Sequence, residues 1–149
     1  MAALHFEGDK DFPQPPTEVG GKLSDARFLA QCIPGVESVA KSAPEEVVCT
    51  LRPGFAFVRG TLELTLRMAD IVAGSSARLL LHSKGIGSTS DVEAALAFTP
   101  EGTGTRVHWT ADVKQLGGLL KAVPQGLIKA AAQKVIADAW TAVEGKLQS

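Results

Sequence analysis

Tyrosine is absent from this 149-residue sequence, and aromatic residues together make up only 5% of it. Without a phenol the chain lacks one common acid of enzyme sites. Cysteine is scarce: Cys32 and Cys49 stand apart, with no Cys-x-x-Cys spacing. Two reduced, buried thiols are therefore expected, not a disulfide framework or a zinc site. Charge of one sign is lacking as well, since the formal net value is −1 and the Lys and Arg residues are scattered. A nucleic-acid binder would show a basic stripe, so that class is excluded, and an anionic membrane surface is supported no better. Long apolar runs are also missing. Residues 1–11 are too polar for a signal peptide and no stretch reaches transmembrane length, so a soluble, cytoplasmic protein is expected.

What is present is a globular mix, 45% apolar and 21% charged, of a size suited to one domain spanning residues 1–149. Residues 4–12 read as a strand stopped by Pro13, Pro15 and Pro16. Short helices are expected over 17–23 and 26–31, the first weakened by Gly20 and Gly21. After Pro34-Gly35 come β-rich runs at 36–40, 47–52, 60–71, 77–85, 92–99 and 106–113. The clearest has Leu62, Leu64, Leu66 and Met68 alternating with Thr61, Glu63, Thr65 and Arg67. Successive alternating strands with no helix between them predict an antiparallel meander with one buried face. From Gly118 the period becomes 3.6: Ile128, Ala131, Ala132, Val135, Ala139 and Val143 form a stripe. Pro124 should split off a short helix at 119–123 from a long one ending near Leu147. The fold class is therefore α+β, an antiparallel sheet covered by a long C-terminal helix.

Alanines on that helix face large residues on the strands, and two readings fit. One is close helix–sheet packing at ordinary interior density. The other is a cavity for an apolar ligand.

Catalytic patterns are missing. His5, His82 and His108 fall on separate strands, with no His-x-x-x-His or Cys/His cluster for a metal. Gly-x-Ser-x-Gly does not occur, and Gly85-Ile86-Gly87 and Gly102-Thr103-Gly104 lack what a phosphate loop needs. No catalytic residue, metal or cofactor is expected. The run Pro53-Gly54-Phe55-Ala56-Phe57-Val58 either tucks under the sheet or forms an exposed tip. As a tip, Phe55 and Phe57 would dock to a protein or bilayer.

A set of short motifs points further: Phe6-Glu7-Gly8, Cys32-Ile33-Pro34-Gly35 followed by Val36-Glu37, and Val58-Arg59-Gly60. Gly85-Ile86-Gly87, Gly104-Thr105-Arg106-Val107 and Gly117-Gly118 continue it. In this order and spacing the chain resembles the carbon monoxide dehydrogenase CoxG branch of the START-like (SRPBCC) superfamily, from about residue 4 to 147. Locally, Gly35 and Gly104 suit turns of positive φ, and Gly85 and Gly87 a bend in a curling strand.

The resemblance implies a helix-grip fold, a curved antiparallel sheet wrapped around the C-terminal helix. It also implies non-enzymatic carriage of a lipid- or quinone-like molecule in a cavity between them, as accessory to a molybdenum-containing dehydrogenase. The expected lining is Ile33, Leu62, Leu64, Leu66, Met68, Leu79, Leu81, Trp109, Val113, Ile128, Ala131, Val135 and Ala139. The possible partners are that apolar molecule, a partner enzyme, or a peripheral membrane through Phe55 and Phe57.

Relatives often carry a bulky aromatic where this chain has Gly20-Gly21, a change that either loosens the helix or enlarges the pocket. Some also extend a C-terminal tail to the membrane, whereas Ser149 ends this chain, so no tail-borne attachment is expected. Two alternatives stand beside the carrier reading. One is a polyketide cyclase- or dehydratase-like enzyme, for which Cys49 and Ser83 are the polar candidates. The other is a structural accessory protein with a filled core.

Overall fold

The computed structural model describes residues 4–52 and 60–148. The apolar run with Phe55 and Phe57 lies outside them. Strand β1 (Leu4–Phe12) leads into two short helices, α1 (Pro16–Leu23) and α2 (Ala26–Cys32). Six strands follow: β2 (Val36–Ser42), β3 (Glu46–Leu51), β4 (Leu62–Val72), β5 (Ser76–Gly85), β6 (Ser88–Glu101) and β7 (Gly104–Gly118). A single 3₁₀ turn at Leu119–Ala122 precedes helix α3 (Gln125–Gln148). All strand pairings are antiparallel, in the order β1-β7-β6-β5-β4-β3-β2. This is the expected α+β helix-grip architecture.

Local chemistry sets the helix starts. Pro16 occupies the first turn of α1, where its missing N–H costs nothing. Asp25 caps α2 by accepting the Arg27 backbone N–H at 2.9 Å, and the Arg27 guanidinium returns to the same carboxylate. Pro124 stands just ahead of α3, and its carbonyl accepts from Leu127 and Ile128. It ends the 3₁₀ turn and lets the long helix begin, as the sequence predicts.

Strands β6 and β7 run longer than their alternation suggests. Ser88–Asp91 pair with Gln115–Gly118, and a register shift between Asp91 and Val92 leaves Lys114 unmatched in the ladder. The bulge hides the strand in the sequence because the in–out pattern changes phase across it.

The glycines also part from expectation. Gly35 has φ +86 as anticipated, but Gly104 is not a positive-φ residue. It is required by proximity, since a Cβ there would lie 2.1 Å from the Phe12 carbonyl oxygen. Gly85, Ile86 and Gly87 do not bend a strand; they close the β5–β6 hairpin, with Ile86 and Gly87 both at positive φ. Gly20 leaves no void. A Cβ there would meet the Gly74 backbone at 3.1 Å and the Phe98 ring at 3.3 Å. Close approach of α1 to the β4–β5 turn leaves no room for a side chain at Gly20. A Cβ at Gly21, by contrast, would meet nothing within 4 Å.

Two apolar cores result. Phe12, Val19, Leu23, Leu96, Phe98, Val107, Trp140, Val143 and Leu147 pack at the α1 end of the sheet. Ala26, Ala30, Val47, Cys49, Leu64, Leu66, Met68 and Ala77 pack beneath α2.

The convex face carries the charge. Arg106 joins Asp11 and Glu101, Arg78 joins Asp70 and Glu93, and Arg67 joins Glu46. All three histidines meet carboxylates there: His5 with Asp112 at 2.5 Å, His82 with Asp91 at 2.6 Å, His108 with Asp9 at 2.9 Å. The hydrogen bond to Asp112 raises the His5 pKa. The folded state therefore holds that proton more tightly than the unfolded chain. The pair's contribution is complete below the ordinary value near 6.5 and fades as pH rises through the higher folded value. Between about pH 5.5 and 8 the thermal midpoint is expected to fall further in the wild type than in Asp112→Asn. Two parallel melting series would refute this.

No helix among the described residues is long and apolar enough to cross a membrane.

Candidate functional site

Backbone register sorts the concave side chains into cross-strand rows. Val47, Leu66, Leu81, Val92, Val113 and Leu4 form one. Met68, Leu79, Ala94, Ala111 and Phe6 form the next. The strand residues expected to line a cavity thus share one face of one sheet, with Leu62 on it opposite Leu51.

Burial divides that face. Leu64, Leu66 and Met68 are buried in the core beneath α2, and Ile33, Leu79 and Leu81 lie on its margin. In the middle of the sheet, Leu79, Leu81, Val92, Ala94 and Val113 are only half-buried although they point inward. On α3, Ile128 is buried, whereas Ala131, Val135 and Ala139 are half-buried. The helix backbone comes closest to α2 and β1 and makes no comparable approach to β4, β5 or β6. Inward-facing apolar side chains that stay only half-buried, where α3 does not close on the strands, are packed less tightly than a core at interior density.

Trp140 was not among the expected residues. Its ring centroid lies 6.1 Å from Phe12 and 6.1 Å from Trp109, both tilted. It belongs to the stripe Ile136, Trp140, Val143 and Leu147, whose 4-3-4 spacing was visible but was outweighed by the alanines. Trp109 is fixed from the other side by Gly8, where a Cβ would stand 3.0 Å from the indole. That close approach explains the glycine of Phe6-Glu7-Gly8. Above these rings a groove of about 540 Å³ opens between β1 and α3, bordered by Lys10, Lys129, Gln133 and Ile136. Lys10 reaches Glu144 at 3.5 Å across its end.

Little chemistry is available on this face. Burial pushes the Cys32 thiol up to about 11 and raises that of Cys49, so both are poor nucleophiles. Ser83 meets the Ser90 hydroxyl, not a base, and the histidines lie on the opposite face. Among the described residues no group of three or more His, Cys, Asp or Glu could hold a metal ion.

Comparison with known proteins agrees with this architecture. The family model for CoxG of carbon monoxide dehydrogenase matches residues 8–148. No curated protein matches the chain. Among solved structures, a conserved protein from Geobacillus kaustophilus superposes with TM-score 0.85 at 23% identity, covering 97% of this chain and 95% of that one. A START superfamily protein from Mycobacterium smegmatis gives 0.69 at 12% identity, over 99% and 98%. Ara h 8.0201 gives 0.66 at 12% identity, over 99% of each chain. At these identities the structures speak for the fold alone.

Proposed function

The chain belongs to the carbon monoxide dehydrogenase CoxG family, and on that footing we propose that it binds or carries an apolar small molecule, lipid- or quinone-like, without transforming it. The molecule sits between the concave sheet and α3, against Leu79, Leu81, Val92, Ala94 and Val113 and beneath Ala131, Val135 and Ala139. The observation that supports this most is the incompletely buried apolar middle of the sheet. Such a surface gains roughly 25 cal/mol for each Å² of apolar area covered, which an apolar guest supplies. The raised thiols and the unactivated serine weigh against a cyclase- or dehydratase-like reaction. The protein works in the cytoplasm as an accessory to a molybdenum-containing dehydrogenase, receiving or delivering the molecule that enzyme uses.

Native mass spectrometry of protein purified from cells, with organic extraction of the same sample, tests the binding. A bound lipid or quinone of defined mass is expected. A protein that is empty, and that takes up neither added quinone, fatty acid nor phospholipid, would sink the proposal.

A further inference from the structure

One row of the concave face is not wholly apolar. Cys49, Leu64, Ser83, Ser90 and Leu116 stand side by side across β3 to β7. The two hydroxyls in its centre are 2.5 Å apart and half-buried, next to the Leu81–Val92 row. Each hydroxyl carries one proton and two lone pairs. Within the pair one proton is used, and the second hydroxyl keeps its own proton to donate. Because the pair is only half-buried and flanked by leucines and valine, an oxygen arriving on the concave face can accept from it.

We propose that Ser83 and Ser90 form the polar anchor of the binding face, donating to one oxygen of an otherwise apolar guest. This rests on the carrier reading above and narrows the ligand class to ketones, quinones and esters. A carboxylate fits less well, because no Lys or Arg shares the row. The oxygen points toward the β5–β6 hairpin and the apolar body lies over Leu79, Leu81, Val92 and Ala94.

Two compounds of one shape test it: 2-acetylnaphthalene and 2-ethylnaphthalene, which differ by the carbonyl oxygen that the anchor would hold. Dissociation constants come from quenching of Trp109 and Trp140 fluorescence, with decanoate as a third probe. Wild type is expected to bind the ketone about tenfold more tightly than the hydrocarbon, and decanoate no better than the hydrocarbon. The Ser83→Ala/Ser90→Ala variant loses that preference and binds 2-ethylnaphthalene as before, while Ser83→Thr, which keeps a hydroxyl, retains it. If the double variant keeps the preference, or both compounds weaken together, the anchor is wrong and the carrier reading stands. If the wild type binds neither compound the anchor falls, and if it takes up neither decanoate nor added quinone or phospholipid the carrier reading falls with it.

Discussion

Replacing Trp140 by alanine is expected to lower the unfolding free energy by about 3–5 kcal/mol, the usual cost of emptying a large aromatic site. The magnitude follows from its position. Trp140 is buried on α3, and its ring touches Phe12 on β1 and Trp109 on β7. It thereby ties the helix to the sheet edge that α3 approaches most closely. Urea denaturation followed by circular dichroism gives the value directly. Trp140→Phe keeps most of the volume and should cost less than half as much. A loss below about 1 kcal/mol in Trp140→Ala would mean that α3 is held elsewhere.

The second large effect concerns binding, at Ala94. This residue lies between Leu79 and Ala111 in the middle of the concave face, half-buried although it points inward. Ala94→Phe places a ring in the space assigned to the guest. Affinity for 2-ethylnaphthalene is expected to drop at least about tenfold, a loss of roughly 1.4 kcal/mol or more. The melting midpoint should move by no more than about 3 °C. The filled-core alternative makes the opposite prediction. Overpacking a closed core costs about 1–3 kcal/mol of stability, and there would be no affinity to lose. A single variant, measured by fluorescence quenching and by melting, separates the two.

How much of this was legible in the chain depends on how local the cause was. Alternation at Leu62, Leu64, Leu66 and Met68 identified both a strand and its inward face, because the two-residue period needs no knowledge of neighbours. The break at Pro124 was equally local. Trp140 was harder, since the α3 stripe can be drawn through the alanines or, one residue further round, through Ile136, Trp140, Val143 and Leu147. Only the position of β1 decides between them. The core beneath α2 was not legible at all: Ala26 and Ala30 are small residues on a short helix, and nothing nearby says that Leu66 and Cys49 lie under them. Gly104 illustrates the same limit, as its constraint is the carbonyl of Phe12, far away in sequence. Ser83 could be picked out of the sequence, but its partner Ser90 could not, because it lies before the expected strand at 92–99 and the pairing requires the hairpin register.

The sheet order β1-β7-β6-β5-β4-β3-β2 also has a consequence in time. Strands β2 to β7 are joined in sequence as hairpins and can assemble as they leave the ribosome. Strand β1 is made first, yet it has no partner until β7 has been synthesised. Closing so long a loop adds little equilibrium cost, since the penalty grows only with the logarithm of length, but it delays the final docking step. Throughout that wait Phe6 and Phe12 lack the cover they have in the finished protein. Pro13, Pro15 and Pro16 follow directly behind, and they keep the waiting segment from lengthening into an edge that a neighbouring chain could pair with.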